Sequence, residues 1–381
     1  MGKVVFTCIM ALICRADARA QFAVEVENPT EMQRQEVVEA DAAGLPSSFV
    51  VRNVMGQEVG YQLSHDGKLL LDVAVQPFGK AVYTIEEGVP SKPKWFVCGN
   101  KYAIRKDDIA WENDRGAYRL YGPALQQTGE RSFGIDVWVK NTPELVVERR
   151  YLADYYGNIQ EDSLYKAGLA REARNVDLAT SFHLDRGDGM DCYAVGASLG
   201  CGAPALMVGD SIVFPYCYHD YQILDNGPLR FKVQLDYGHE HRVVSLDKGS
   251  NFNKMTVWYD QLPKERPVSL VSGVVLHGGN QVELGGDYVQ YADPTDHQAH
   301  QSQVYVAVLF PAGVAETRVI KGEHDHAVGV VRDYNGAPYT YYFGSAWSQY
   351  DVRTQAEWQL RISEYLHARR HPLTVKIKKT T

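Results

Sequence analysis

The sequence predicts a mainly β protein, with a small N-terminal β-sandwich followed by a large two-sheet sandwich and a C-terminal helix. Short runs of alternating apolar and polar residues, separated by Gly, Asp, Asn or Pro, fill most of the chain. Tyrosine, which favours strands, occurs 24 times. Helical spacing is clear only near the end of the chain. The length of 381 residues is enough for one large domain or two ordinary ones.

The first twenty residues are expected to be a secretory signal peptide. Lys3 precedes an apolar run from Val4 to Cys14, and the segment closes on the small-x-small pattern Ala18-Arg19-Ala20. Cleavage before Gln21 would deliver the chain to the periplasm or the medium. Ile13 before Cys14 does not match a lipoprotein signal. No later stretch is apolar enough to span a membrane after cleavage.

Residues 21–95 are predicted to form the small β-sandwich. After a first strand in QFAVEVENP, four strands are expected near 48–53, 58–63, 68–75 and 80–86. The turns between them are marked by Met55-Gly56, Asp66-Gly67 and Phe78-Gly79. A stretch with Pro90 and Pro93 reads as the linker to the next domain.

Residues 96–381 are predicted to form the large domain. Its expected strands include FGIDVWVK, LVVERRYLADYY, LRFKVQLDYG, HRVVSLD, KMTVWYD, SLVSGVVLHG and VYVAVLF. The closing segment RTQAEWQLRISEYLHARRHP has apolar residues at helical spacing and arginines suited to a C-terminal turn, so it is predicted to be a helix. A domain built almost wholly of strands indicates a large two-sheet sandwich.

The charge and the cysteines restrict the classes of partner and cross-link. A formal net charge of −8 argues against nucleic acid as the main partner, while a local arginine cluster could still meet an anionic substrate. After signal cleavage Cys98, Cys192, Cys201 and Cys217 remain. They allow one or two disulfides, or they are free thiols in a large core. Motifs for serine hydrolysis, nucleotide binding and zincin proteolysis are absent from the sequence.

The stretch WENDRGAYRLYGPAL, residues 111–125, mixes charge with aromatic rings. Read as one extended strand, successive side chains alternate faces. One face then offers guanidinium groups, an amide and aromatic rings, which suit an acidic sugar, and the opposite face offers carboxylates. A salt-bridged hairpin around Asn113-Asp114 is the alternative. The first face carries Trp111, Asn113, Arg115, Arg119 and Tyr121, and the second carries Glu112 and Asp114.

A second candidate region, residues 182–204, is rich in glycine and acids. The glycines indicate an irregular loop near a site. His183 would transfer a proton near neutral pH, with Asp191 as its partner. Calcium is the metal alternative, although the acids do not follow the EF-hand spacing, and a solvated surface loop is the structural alternative.

Further candidates lie later in the chain. Tyr216 and His219 belong to a tyrosine-rich stretch and are candidate substrate contacts. Trp347 lies near a glycine and would be either a sugar platform or a core aromatic residue. The pairs His297/His300 and His324/His326 would serve a zinc site only with a third ligand that the sequence does not place.

The order of these motifs resembles a secreted bacterial family catalogued as domain of unknown function 4861. The resemblance rests on AWENDR followed by YRLYGPAL, then GIDVWVK, GDGMDCYAVG, ILDNGPLR and GSAWS, and covers about residues 22 to 368. It implies a galactose-mutarotase-like β-supersandwich, a fold shared by sugar epimerases, several polysaccharide lyases and domains of glycoside hydrolases. Members occur mainly in bacteria that degrade plant and algal polysaccharides. The resemblance assigns no catalytic residues.

The sequence therefore predicts a secreted carbohydrate-active protein for acidic, uronic-acid-containing oligosaccharides. As a lyase it would use Arg115 or Arg119 to neutralise the uronate, with His183 or a tyrosine as base. As a hydrolase it would pair Glu112 or Asp114 with Asp191. As a mutarotase it would use His183 with Glu112. The rival hypothesis is a non-catalytic glycan-binding protein, and an adhesion protein is a third. The oligomeric state is left open.

Overall fold

The computed structural model describes residues 22–264, 267–278, 282–294 and 302–380. The expected signal peptide and the pair His297/His300 lie outside these residues. The described strands are β1 (Phe22–Glu27), β2 (Arg34–Asp41), β3 (Phe49–Arg52), β4 (Glu58–Val59), β5 (Tyr61–Leu63), β6 (Lys68–Val75), β7 (Lys80–Glu87), β8 (Cys98–Tyr102), β9 (Asp108–Glu112), β10 (Gly116–Leu120), β11 (Ile135–Val139), β12 (Met190–Asp191), β13 (Cys201–Val208), β14 (Ser211–Val213), β15 (Asp220–Asn226), β16 (Arg230–Asp236), β17 (Glu240–Asp247), β18 (Phe252–Tyr259), β19 (Val268–Leu276), β20 (Val282–Leu284), β21 (Tyr288–Asp293), β22 (Val304–Leu309), β23 (Glu316–Ile320), β24 (Asp325–Val331), β25 (Tyr339–Trp347) and β26 (Thr374–Lys379).

The helices are fewer. They are α1 (Pro123–Gln126), α2 (Val147–Lys166), α3 (Ala170–Thr180) and α4 (Gln355–Arg370), with a 3-10 turn at Ala103–Arg105. No helix among the described residues combines the length and the apolar character that crossing a membrane requires.

The small sandwich consists of a five-stranded sheet, β26-β1-β7-β3-β4, and a three-stranded sheet, β2-β6-β5. Alternate residues of both sheets, such as Val24, Leu71 and Ile85, form its core. Four of the five predicted strands are found as β1, β3, β6 and β7, whereas the predicted strand at 58–63 is divided into β4 and β5 of different sheets, and β2 was not predicted. Strand β26 from the end of the chain pairs with β1, so the last residues return to this sandwich. The division into domains at residue 95 stays a prediction.

The large sandwich encloses a second core between three sheets. One layer is the eight-stranded sheet β15-β16-β17-β18-β25-β22-β21-β20. The other layer consists of two five-stranded sheets, β12-β11-β10-β9-β8 and β14-β13-β19-β24-β23, joined by a bridge between Ile135 and Gly200. All three sheets contribute to the core, for example through Trp111, Phe231 and Val274. The predicted mainly β class, with a small sandwich, a supersandwich and a C-terminal helix, is confirmed.

Helix α4 covers the outer face of the eight-stranded sheet through Trp358, Ile362 and Leu366. Thr354 and Glu357 form a capping box at its start, which stabilises the first turn. This helix was predicted from spacing, and the prediction is confirmed.

The prediction of a strand at LVVERRYLADYY, residues 145–156, is wrong, because this segment enters helix α2. Val147, Tyr151 and Asp154 are buried at i, i+4 and i+7. Val147 and Tyr151 pack on the outer face of the sheet β8–β12, with Phe182. Tyrosine and valine favour strands only weakly, and the contact with a sheet face overrides that preference.

None of the four cysteines among the described residues forms a disulfide. Of the two alternatives, disulfides or thiols in a large core, the thiols are therefore found. Burial raises the pKa of Cys98 and Cys217 to about 12, and it also raises the pKa of Cys201. Cys192 is partly exposed.

Candidate functional site

The charged stretch near residue 111 forms a hairpin rather than one strand. Strands β9 and β10 pair antiparallel, with Trp111 opposite Tyr118 and Glu112 opposite Ala117. The turn between them reverses the chain, so the face assignment that assumed one continuous strand is wrong. Trp111 faces the core, while Glu112 and Arg119 share the opposite, outer face with Ala110 and Ala117.

Neighbouring strands bring two aspartates to Arg119 on this outer face. Arg119 lies opposite Asp136 of β11, and Trp138 of β11 lies opposite Asp191 of β12. Because cross-strand partners share a face, Arg119, Asp136 and Asp191 point in the same direction. Helix α2 covers Ala117 and Trp138 but leaves the Arg119 end of the sheet open to a cavity.

Arg119 holds both aspartates. Its Nε donates to Asp136 Oδ2 at 2.8 Å, and its Nη2 donates to Asp191 Oδ2 at 2.9 Å and to Asp136. The hydroxyl of Tyr121 also donates to Asp136 Oδ2, at 3.0 Å. Burial, with Asp191 close by, raises the pKa of Asp136 to about 7, against the opposing effect of Arg119. Burial likewise raises the pKa of nearby Asp108 to about 6.

The imidazole of His183 lies beside Asp191 and is largely exposed to solvent. Its Nδ1 donates to the backbone carbonyl of Asp191 at 3.0 Å, and the Asp191 carboxylate is 3.7 Å from the same nitrogen. This bond fixes the neutral tautomer that has its lone pair on Nε2. The side chain is 61% exposed, and Nε2 has no partner in the described part of the chain. Such an imidazole can accept and return a proton.

These residues line a cavity of about 720 Å³. Two further arginines in its wall, Arg105 and Arg131, form no ion pair with any described residue. Arg105 stacks over Phe182 at 4.7 Å, and Arg131 lies over Phe133 at 5.6 Å. Both guanidinium groups are therefore available to an anionic ligand, whereas Arg119 has most of its donors occupied. The acids of the wall are Glu130, Asp185 and Asp191.

Of the predicted site residues, the structure brings His183, Asp191, Arg119 and Tyr121 together in this cavity wall. Tyr216 lies beside it: its hydroxyl donates to the carbonyl of Gln126, and its ring is 6.4 Å from that of Phe133. Tyr216 is exposed, so this aromatic pair could contact a ligand that extends from the cavity. The roles of these residues stay predictions.

Glu112 and Trp111 are not in the cavity, which corrects their predicted placement. Glu112 is buried, pairs with Lys140 at 2.6 Å and accepts hydrogen bonds from the backbone N–H groups of Val146 and Val147. Its carboxylate therefore satisfies the start of helix α2, which favours negative charge. Trp111 has no exposed surface, and its indole N–H donates to Asn253.

The turn residues of the hairpin point away from the cavity. Asn113 accepts from the backbone of Arg115 and Gly116, and its amide donates to the carbonyls of residues 247 and 250, so it fixes the turn. Asp114 accepts from the N–H of Gly249 at 2.7 Å. Arg115 pairs with Asp351 beside α4. The predicted catalytic role of Asp114 and binding roles of Asn113 and Arg115 therefore lack a common site with His183.

His219 and Trp347 are also elsewhere. His219 is exposed beside Gly238 and does not line the cavity. Trp347 is buried and donates to Ser302 Oγ at 3.0 Å, so of its two alternatives the core aromatic holds. His326 accepts from the N–H of Leu199, and burial lowers its pKa to about 4. Within the described ranges no three His, Cys, Asp or Glu residues are grouped to hold a metal ion.

Several residues of the site were not predicted from the sequence, among them Asp136, Arg105 and Arg131. Asp136 carries a signal that could have found it: an acid in the apolar run Ile135–Val139 must have a buried partner. Arg105 ends a single 3-10 turn and Arg131 lies in an irregular segment, and neither is long enough for a periodic pattern to indicate the direction of the side chain.

Comparison with known proteins adds a family and a relative. A family model described as "Domain of unknown function (DUF4861)" matches residues 26–375. A protein of Formosa agariphila, with the name uncharacterized protein P7, is 27% identical over 299 residues, which is 72% of this chain and 68% of that protein.

Two solved structures share the fold. One is an alpha-mannosidase from Enterococcus faecalis V583, with a TM-score of 0.51 over 94% of this chain and 46% of that one. The other is a protein in glycosyl hydrolase family 38 from Enterococcus faecalis, with a TM-score of 0.53 over 94% of this chain and 48% of that one. This chain spans about half their length, and at 10% identity the likeness concerns the fold alone.

Proposed function

We propose that this chain, which belongs to the DUF4861 family, is a carbohydrate-active protein, specifically a lyase that cleaves acidic oligosaccharides by β-elimination. The fold shared with glycoside hydrolase structures is consistent with a sugar substrate. One observation supports the choice of reaction. The exposed imidazole of His183 donates a hydrogen bond through Nδ1, leaves Nε2 without a partner among the described residues, and shares a cavity wall with arginines that form no ion pair with any described residue.

The reaction would use these groups in order. Arg105 and Arg131 bind the uronate carboxylate and neutralise its charge, which makes the proton on C5 more acidic. His183 Nε2 accepts that proton, the C5–H electrons form the C4–C5 double bond, and the C4–O4 bond breaks. The imidazolium then returns the proton to the departing oxygen. Asp191 and Arg119 do not react; they hold the imidazole in place.

The geometry argues against the carboxylate pairs that the sequence predicts for hydrolysis and for mutarotation. Hydrolysis needs two carboxyl groups flanking the glycosidic bond. Glu112 is buried and bound by Lys140 and two backbone N–H groups. Asp114 lies at a different surface of the protein. Neither carboxylate can therefore face Asp191 across a sugar. A His183–Glu112 pair for mutarotation fails for the same reason.

Secretion belongs to this proposal. Residues 1–20 would direct export, and a periplasmic or extracellular location would bring the protein to polysaccharide fragments. Amino-terminal sequencing of the exported protein tests this, with Gln21 as the expected first residue.

The test of the reaction is incubation with separate oligogalacturonate, oligoglucuronate and ulvan-derived oligosaccharides. A lyase produces the ultraviolet absorbance of a conjugated double bond and a product mass without added water. Cleavage with water added would indicate a hydrolase, and binding without cleavage would indicate the non-catalytic glycan-binding protein. Either of these outcomes would overturn the lyase assignment.

A further inference from the structure

A second cavity, of about 550 Å³, lies between the small sandwich and the outer face of the eight-stranded sheet. Strands β15 to β18 and β25 form its floor. Residues of β2, the segment before β26 and the end of α4 form its walls. We call this cavity the sheet groove. It shares no lining residue with the cavity of His183, and it lies on the opposite side of the supersandwich core.

The strand register places polar side chains in a row across the floor. Lys232 lies opposite Ser245, Ser245 opposite Lys254, and Lys254 opposite Tyr342. Cross-strand partners share a face, and Phe231 and Val233 on either side of Lys232 are buried in the core. The row therefore points outward into the groove. With strands about 4.8 Å apart, the two lysine backbones lie about 10 Å from each other.

The positive charge of these two lysines is only partly compensated, because Asp66 lies near Lys232 and Glu39 near Lys254 without forming an ion pair with them. The acids of the walls already have cationic partners: Glu36 pairs with Arg34 and Arg369, and Glu39 and Asp247 pair with Arg230. Lys232 and Lys254 form no ion pair with any described residue. The groove therefore offers two ammonium groups that are not held in an ion pair, on a floor that also offers hydroxyl and amide groups.

Such a lining suits a ligand that carries both spaced anions and hydroxyl groups. We propose that the sheet groove is an accessory binding site for acidic oligosaccharides, with sugar carboxylates or sulfates at Lys232 and Lys254 and sugar hydroxyls at Ser245 and Gln234. The strand register and the ion pairs are sufficient to infer that the groove is positively charged. The inference that its ligand is an acidic glycan rests on the proposed function. Nucleic acid is disfavoured because the chain has a net charge of −8.

The experiment is calorimetric titration with purified oligogalacturonate, in the full chain with His183→Ala so that the probe is not consumed. The double variant Lys232→Gln/Lys254→Gln is compared with the matched control Lys92→Gln/Lys166→Gln, which removes two exposed lysines elsewhere. Loss of both groove lysines is expected to weaken binding about fivefold or more, with a reduced dependence on salt, because two charged contacts with the ligand are removed.

A second variant keeps the test sharp. Ser245→Glu places a carboxylate between the two lysines and is expected to weaken binding at least as much. Thermal unfolding checks that each variant is folded. Unchanged affinity in both groove variants, equal loss in the control, or no binding of the probe overturns the proposal.

The two proposals fail separately. With His183 intact, Lys232→Gln/Lys254→Gln is expected to keep turnover of the shortest cleavable oligosaccharide within about twofold, because the groove is remote from the cavity. Turnover without lysine-dependent binding overturns only the groove. Lysine-dependent binding without turnover overturns only the lyase.

Discussion

Asp136 and Asp191 accept hydrogen bonds from the same nitrogen, Nη2 of Arg119. The two aspartates belong to neighbouring strands, β11 and β12, and all three residues are buried. The arginine compensates two carboxylates that would otherwise repel each other in a poorly solvated place. Asp191 in turn holds His183 through its backbone carbonyl, so the buried group supports the residue that faces the cavity.

Removal of Arg119 should therefore be strongly destabilising. Arg119→Met leaves two buried carboxylates without their cation, and we expect the free energy of unfolding to fall by about 3–5 kcal/mol. Denaturant unfolding measures it. Arg131→Met, at an exposed arginine of the same cavity, is the control and should change stability by less than about 0.5 kcal/mol. Similar values for the two variants would contradict the role given to Arg119.

Stability should depend on pH through Asp136. Its pKa is about 7 in the folded protein against a usual value of 3.8, so the folded chain binds this proton more tightly. The stabilisation is complete below about pH 4 and is lost as the pH rises towards 7, which means that the free energy of unfolding falls across this range. Asp136→Asn should flatten that fall. A smaller dependence of stability on pH should remain in this variant, because Asp108 also has a raised pKa, of about 6. Superimposable pH profiles would show that Asp136 does not titrate there.

His183 should be essential for turnover but not for folding. We expect His183→Ala to lower kcat by about 10²- to 10⁴-fold, because a general base contributes that much. Its exposed ring means that unfolding should change little. His219→Ala removes an exposed histidine outside the cavity and is the matched control. The initial rate of ultraviolet absorbance on an acidic oligosaccharide is the measurement. Activity within about threefold of the wild type would exclude His183 as the base.

Glu112 should matter for stability rather than for chemistry. Glu112→Gln leaves Lys140 buried without its counter-ion and weakens the start of helix α2, so we expect a loss of about 3–5 kcal/mol. Below the unfolding temperature, kcat should stay within about threefold of the wild type. Lys140→Met should destabilise to a similar extent. If Glu112→Gln keeps its stability but loses turnover, Glu112 would have the catalytic role that the sequence predicts.

Thiol labelling should single out Cys192. It lines the cavity and is partly exposed, whereas burial raises the pKa of Cys98, Cys201 and Cys217 and keeps them as unreactive thiols. Iodoacetamide with peptide mass spectrometry should find Cys192 modified first. A bound acidic oligosaccharide should slow the modification if it occupies the cavity. First modification at another cysteine would contradict the placement of Cys192.

Local features of the sequence determined much of the fold. Alternation and turn chemistry located most strands of the small sandwich but not β2, since a turn such as Asp66-Gly67 depends on only a few neighbouring residues, and Gly67 has the positive φ it needs. Helix α4 was predicted for the same reason, because its apolar spacing and the arginines of its last turn lie within one segment. Helix α2 was missed because contact with a sheet face, rather than its own residues, decides its conformation.

Only the tertiary structure decided which charged groups meet. Arg119 binds acids 17 and 72 residues further along the chain, and Arg115 binds Asp351, 236 residues away. The sequence identified the arginines and acids by type and placed Arg115 and Arg119 on one face. Arg115 belongs to the turn that Asn113 fixes, whereas Arg119 lies in β10, so the alternation of strand residues does not extend to Arg115. Charged residues so far apart in the sequence become partners only through the pairing of strands in the sheets. No local sequence pattern indicates that pairing.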